Sequence, residues 1–341
     1  MTDQGVSIVI CCYNGAHRLP ETIRHIAQQI VPAAIPWEFI LIDNASTDNS
    51  VAITKSIWVE HNNPTSLRII PEPTAGLSHA RLKGFESAKY NFIIFCDDDN
   101  WLQHDYVALV YSDMVDKPKV AVLGGIGELV YEVEPPDWIR VINIFAAGSQ
   151  AAINGKIKDY RLYGAGCVFR KYAYFNLQKL GFKSLLTDRK GMELSSGGDY
   201  ELCYAFALAG YDLLYDDRLH FKHFITKERL TWEYFMRYAK ESAKCFDVLE
   251  AYKFVAILGV KNFNWMRLKN LSYSLRIYLI INFRLLFATR NSTQWRILFF
   301  KHIEFKYKIK TLAKEGHSMK RYHSEVLLFK EKVERAIAMG Q

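Results

Sequence analysis

Three consecutive carboxylates, Asp97, Asp98 and Asp99, close the apolar run at residues 92–96. Adjacent carboxylates repel one another, and a cation is the usual offset. Their hard oxygens suit Mg²⁺ or Mn²⁺, which bridges one or two carboxylates to substrate phosphates. The plainer alternative is an acidic loop held only by water. Asp43, closing FILID, is a second carboxylate at a strand end. It can accept from a nucleobase or ribose, or cap the turn through residues 44–47. Arg81, on the helix after Gly76, can reach phosphate oxygens or make a surface ion pair. Asp199 follows Gly197 and Gly198 and opens a helix, where it either caps the first turn or serves as a general base. Glu201 points about 200° away at ~100° per residue, so only one of the two faces a common site. His223 ends LHFKHF and is a further candidate ligand, or a satisfied structural residue. His220 falls on the opposite strand face by the two-residue period.

The elements that position these residues alternate regularly over the first 125 positions. Short apolar runs at 6–11, 39–42, 67–70, 92–96 and 120–123 are separated by helical stretches with turn signals such as Asn14-Gly15. Continuous apolar strands alternating with amphipathic helices predict a buried, mostly parallel α/β sheet flanked by helices. In such sheets ligands bind beyond the carboxyl ends of the strands. Tyr13-Asn14, Asp43-Asn44 and the acidic triplet all fall there. Residues 126–225 are less regular and rich in aromatics and glycine, and from Thr231 onward the pattern is almost wholly helical. The expected division is 1–225, itself split into 1–125 and 126–225, followed by a helical extension at 226–341. No G-x-G-x-x-G follows the first strand and no G-x-x-x-x-G-K-[ST] occurs, so dinucleotide-binding and P-loop readings fail.

Composition bounds the class. The chain has 341 residues, 50% hydrophobic and 23% charged, which excludes disorder, collagen and a disulfide miniprotein. The net charge of +8 is unevenly spread. Residues 251–341 hold 18 Lys or Arg against five Asp or Glu, whereas residues 1–250 hold 26 against 31. From 251 to 303 there are nine cations and no carboxylate. The six cysteines show no CxxC pair, and no basic segment leads into a long apolar one. A reduced, cytoplasmic setting without a spanning helix is the expectation.

Taken together, VSIVICCYNG, ILIDNASTDNS, GLSHARLKGFESAKYNFIIFCDDDNWL and SSGGDYELCYAFALAGYDLLYDDRLHFKHFI resemble the segments of the family 2 glycosyltransferases, over roughly residues 5–240. The resemblance implies the GT-A fold, with a mostly parallel, Rossmann-like sheet and a C-terminal helical extension. It implies an inverting transfer from a UDP-, GDP- or dTDP-sugar to a hydroxyl of a glycan or lipid-linked acceptor, in bacterial surface polysaccharide or glycan assembly. Tyr13, Asn14 and Asp43 then hold the nucleoside and Arg81 the diphosphate. Asp97 and Asp99 form the D-x-D pair beside Asp98. Mn²⁺ or Mg²⁺ sits on Asp99, Asp97 and His223, and Asp199 deprotonates the acceptor. Leu82 stands where an Asn often follows the helix Arg, and Gly198 where the E of the E-D pair stands, so Glu201 remains the alternative base. Trp138, Tyr163 and Trp232 can stack on a sugar or belong to the core.

On a single helix, Lys269, Ser272, Arg276, Arg284 and Arg290 fall within about 120°. That pattern suits an anionic membrane surface met through residues 251–303, with the protein peripheral to the inner face of the membrane. A helix packed on the body with a basic exposed face is the alternative. Nucleic acid has no support beyond charge, and the long apolar helices could pair two copies. The competing readings are an inactive membrane-surface scaffold and a sugar nucleotidyltransferase. The latter should carry a Gly-rich basic loop where this chain has CCYNGAHRL.

Overall fold

A computed structural model describes residues 3–186, 197–314 and 316–339. Residues 187–196, part of the region expected to shape an acceptor pocket and including Ser195-Ser196 of the last family segment, lie outside the described residues. The chain forms two compact units. The first is Met1–Val130, Ala146–Phe182 and Ala205–Phe224, and the second is Tyr131–Phe145, Lys183–Tyr204 and Ile225–Gln341.

The elements begin with β1 (Asp3–Cys12), α1 (Leu19–Ala27), β2 (Trp37–Asp43), α2 (Ser50–Glu60), β3 (Ser66–Pro71) and α3 (Leu77–Ser87). They continue with β4 (Tyr90–Cys96), β5 (Asn100–Leu102), α4 (Tyr106–Met114), β6 (Val120–Tyr131) and α5 (Asp137–Val141). Next come β7 (Gly155–Lys156), β8 (Val168–Arg170), α6 (Lys171–Lys179), α7 (Gly198–Leu208) and β9 (Asp212–Ile225). The chain ends in α8 (Trp232–Glu241), α9 (Phe246–Ala256), α10 (Phe263–Leu285), α11 (Thr293–Lys314) and α12 (Gly316–Ala338).

Among the described residues nine strands form one sheet, ordered β3-β2-β1-β4-β8-β6-β9-β5, with β7 paired to β9. Strands β1 to β4 pair in parallel. β8 runs antiparallel to β4 and β6, and β9 antiparallel to β5 and β7. The alternating βα pattern of the first half therefore gives the parallel part, and the less regular middle supplies the antiparallel part. All seven residues of β4 and the central five of β2 are buried, as strands covered on both faces require. In α1, Leu19, Ile23, Ile26 and Ala27 make the inward stripe, and Pro20 sits in the first turn, where its missing N–H costs nothing. Gly125 is forced by close approach, because a Cβ there would lie 2.1 Å from the Leu219 carbonyl oxygen.

One buried cation ties this sheet together. Arg170, at the end of β8, is 1% exposed. It donates through Nε to the Val120 carbonyl (2.6 Å), and through Nη2 to the carbonyls of Met114 (2.7 Å) and Lys117 (2.9 Å). Met114 closes α4, so its carbonyl has no partner within the helix. The guanidinium also lies 4.9 Å from the centre of the Phe92 ring.

In the second unit, α11 packs on α10, α8 and α5, and α12 on α9. Trp138 meets Trp232 and Phe235 edge-on at 5.1 and 4.8 Å, with Arg296 over both indoles. Trp138 is thus a core residue. The carboxylate-free stretch is not one helix. α10 ends at Leu285 and Asn291 takes φ +65°, so Arg290 lies beyond the helix and leaves the arc expected for it. No helix among the described residues is long and apolar enough to cross a membrane.

Arg170→Ala removes the guanidinium from the Val120, Met114 and Lys117 carbonyls, of which the last two keep the backbone amides of Lys117 and Val120. The expected loss is about 1–3 kcal/mol, read as a lower urea midpoint with an unchanged slope. Arg170→Lys, a point charge without the fork, restores only part of it.

Candidate active site

The loops at the carboxyl ends of β1 and β2 are laced together by short polar side chains. Asn14, at φ +49°, accepts through Oδ1 from the Thr47 amide at 2.8 Å. Its own amide donates to Ser46 Oγ (3.1 Å), the Gly15 amide to Ser50 Oγ (2.9 Å), and the Ala16 amide to Asp48 Oδ2 (3.0 Å). Asp48 Oδ1 takes the first amide of α2, Ser50, at 3.0 Å. Although burial opposes it, the Asp48 carboxyl is held below the usual range by the Ser50 hydroxyl and the amides of Ala16 and Ser50. Asp43 Oδ1 accepts from the Ser46 amide at 3.2 Å, the turn-capping role its position allows. Asn44 reaches the other way. It receives the Gly76 amide (2.8 Å) and donates to the carbonyls of Glu72 (3.0 Å) and Thr74 (2.7 Å), which fixes the loop into α3. Tyr13 stands 49% exposed at the mouth of this frame.

The three carboxylates of the acidic loop have three different environments. Asp98 is gripped by Arg18, with Nε–Oδ1 at 2.9 Å and Nη2–Oδ2 at 2.6 Å, while Thr22 Oγ1 donates to its carbonyl at 2.9 Å. Both oxygens of this side chain, a candidate nucleotide-sugar contact, meet the guanidinium. Asp97 closes a turn with Asn100, whose amide donates to the Asp97 carbonyl at 3.0 Å. Asp99 is buried. Its Oδ1 accepts from Asn100 Nδ2 (3.1 Å), and its Oδ2 lies 3.6 Å from His223 Nε2. β5 pairs with β9 so that Asn100 opposes His223, and the Phe224 amide donates to the Asp99 carbonyl at 2.8 Å. His223 Nδ1 faces the Ala146 carbonyl at 3.2 Å. A carbonyl only accepts, so Nδ1 carries the proton and Nε2 is turned toward Asp99. His223 is buried and His220 exposed, as the strand period requires.

A carboxylate oxygen and an imidazole nitrogen at this separation form a donor pair that fits Mn²⁺ or Mg²⁺. Among the described residues no group of three or more His, Cys, Asp or Glu is gathered to hold an ion unaided. Such a cation would take its remaining ligands from substrate phosphates and water. Arg81, half-buried on α3, acts electrostatically on Cys11, as do Asp97 and Asp98, so helix cation and acidic loop share one neighbourhood. The thiols here are not reactive groups. Burial pushes Cys11 and Cys12 up to about 12, and Cys96 well above its ordinary value.

Asp199 and Glu201 belong to the second unit. Asp199 is half-buried in the first turn of α7. Before it Gly197 takes φ +124°, and a Cβ there would press on Leu249 at 3.1 Å. Glu201 is fully buried and closed in by donors: Ser184 Oγ at 2.6 Å and the amides of Leu185 (2.7 Å) and Leu186 (3.2 Å). It also helps burial raise the pKa of Tyr252. Its two oxygens thus hold residues 184–186. Tyr163 likewise serves the backbone, accepting from the Gly127 amide (2.8 Å) and donating to the Gly148 carbonyl (2.9 Å).

Residues 7–175 match the model of glycosyl transferase family 2, and the chain belongs to that family. The glycosyltransferase GlyG of Streptococcus pneumoniae is 29% identical over 119 residues, 35% of this chain and 38% of that one. The minor teichoic acid biosynthesis protein GgaA of Bacillus subtilis is 27% identical over 169 residues, 49% of this chain and 37% of its own. The chain thus spans well under half the length of either of these curated relatives. A mannosyltransferase from Pyrobaculum calidifontis, solved with GDP-Man and Mn²⁺, matches 97% of this chain and 88% of its own. At TM-score 0.56 and 16% identity, that likeness is one of fold.

Glu201→Gln keeps the volume and loses the charge that three donors face. We expect about 1–3 kcal/mol of destabilisation, read as a lower melting temperature.

Proposed function

We propose that the chain is a metal-dependent, inverting glycosyltransferase. It moves a sugar from a nucleoside diphosphate donor to a hydroxyl of a glycan or lipid-linked acceptor in bacterial surface polysaccharide or glycan assembly. The observation that carries the reading is the convergence of Asp99 and His223, 3.6 Å apart, at the carboxyl edge of the parallel strands. Family membership supports the reaction class. The Mn²⁺ and GDP-Man bound by the Pyrobaculum enzyme support a divalent cation and a nucleotide-sugar donor.

In this reading Tyr13, Asn14 and Asp43 border the nucleoside and Arg81 meets the diphosphate. Asp99, Asp97 and His223 would hold Mn²⁺ or Mg²⁺, which lowers the charge on the leaving diphosphate. Asp98 stays with Arg18, and that pair sets the loop rather than the ligand. Asp199 takes the proton of the acceptor hydroxyl. The oxygen's electron pair then forms the new bond to the anomeric carbon on the face opposite the diphosphate. The old carbon–oxygen bond breaks as the nucleoside diphosphate departs, so configuration inverts.

The test is a thermal-shift and calorimetric screen of UDP-, GDP- and dTDP-sugars with and without Mn²⁺ or Mg²⁺. One nucleotide at 100 times its Kd should stabilise the protein by about 2.7 kcal/mol, only with metal present, and the shift should vanish in Asp99→Ala. Absence of binding by every nucleotide to folded protein would overturn the reading. Asp199→Asn should keep donor binding and lower kcat about 100- to 10,000-fold. Unchanged turnover would remove Asp199 as the base.

A further inference from the structure

Helix α10 is built inside out. The residues it buries are Met266, Asn270, Ser274 and Ile281, one or two turns apart along one face. Two of these four are polar, and among the described residues neither Asn270 Nδ2 nor Ser274 Oγ finds a hydrogen-bond partner. Phe263 and Leu271 also pack inward, but many large apolar side chains point the other way. Leu268, Leu279 and Phe283 are between 64% and 68% exposed, Trp265 and Leu275 are 48% and 42% exposed, and Leu286 and Phe287, just past the helix, are 79% and 76% exposed. At ~100° per residue, Leu268, Leu275, Leu279, Phe283 and Trp265 share one arc of about 80°. Lys269, Arg276 and Arg284, all exposed, line one border of that arc. A helix stabilised only by its own protein turns its apolar stripe inward. An exposed, contiguous apolar face of this size marks a surface that meets something else.

Charge selects the occupant. No carboxylate occurs between residues 251 and 303, against nine cations. A second copy on the same face would repeat the cationic border across a two-fold axis with no local acid to offset it. An anionic lipid surface satisfies both features. Its acyl boundary takes the leucines and phenylalanines, and its head groups take the border of Lys and Arg. We propose that the outer face of α10 docks the protein on anionic membrane, lying in the interface without crossing it. The proposal stands on α10 alone and is independent of the chemistry assigned to the acidic loop.

Flotation of the full chain with vesicles tests it, using phosphatidylcholine alone and phosphatidylcholine with about 30% phosphatidylglycerol. The expected result is recovery with the anionic vesicles at low salt, and at least about a tenfold weaker association with the neutral ones. The triple variant Leu275→Gln, Leu279→Gln and Phe283→Gln should lose about tenfold or more in anionic-vesicle affinity, with its melting temperature kept because all three side chains are already exposed. Should that variant fold poorly, Arg276→Glu with Arg284→Glu decides, by losing preference for anionic over neutral vesicles. Failure of the wild type to float with anionic vesicles would overturn the proposal, as would undiminished flotation of both variants. A concentration-dependent dimer dispersed by the triple variant, with no vesicle association, would assign the face to a second copy instead.

Discussion

Three carboxylates on successive residues at the end of a buried strand impose a charge problem that the first unit is arranged to solve. Each negative group in poor solvent needs a donor or a cation, because like charges in general cost of order 4 kcal/mol when about 4 Å apart at protein-like dielectric. Arg18 removes the middle one from contention with two short bonds. Asn100 and the β9 strand then hold Asp99 beside His223. The result is an acidic loop whose backbone is fixed from both sides before any ligand arrives. Fixed dipoles and charges of this kind cost no reorganisation when charge develops on a departing group.

The same economy governs the loops after β1 and β2. Of the segment ILIDNASTDNS, the sequence points only Asp43 toward the nucleoside. In the structure Ser46, Asp48 and Ser50 bind the backbone of residues 14–16, and Asn44 binds the loop ahead of α3. These residues are needed because a turn at a strand end leaves amides with no ladder partner. What they free is Tyr13, held at the rim with half its surface exposed. The Ser46, Asp48 and Ser50 side chains of this segment are thus scaffold.

Much of this was legible from residue order. The apolar runs gave strands whose burial is nearly continuous, and the acidic, Asn and Arg positions fell at strand ends and on α3, as the alternating pattern implies. Legibility failed where function of a side chain depends on a contact distant in sequence. Arg18 is an unremarkable cation in CCYNGAHRL until Asp98, 80 residues on, is seen to meet it. Glu201 stood as the alternative to Asp199 because helix periodicity says that the two diverge, not which one turns inward. In the structure Glu201 turns toward residues 184–186. Periodicity also carried a single helix through Arg290, past the point where the backbone turns at Asn291.

The deepest ambiguity concerned α10, and it has a physical cause. A sequence with leucines on one arc and polar residues on another normally places the leucines inward, because burial of apolar area is worth about 25 cal/mol per Å². Here Asn270 and Ser274 share the inward face with Met266 and Ile281, while Leu268, Leu275 and Leu279 face out. No local rule of helix formation produces that choice, since either face supports the same backbone hydrogen bonds. It persists only if α11 supplies enough contact through Met266 and Ile281 to fix the rotation of the helix, at some loss of stability. Departures from local consistency of this sort concentrate where a protein meets a partner. The acidic loop is a departure of the same kind in the first unit, a concentration of charge that folding alone gives no reason to assemble. In the readings proposed above, a ligand at one and a membrane at the other would complete what folding leaves unmatched.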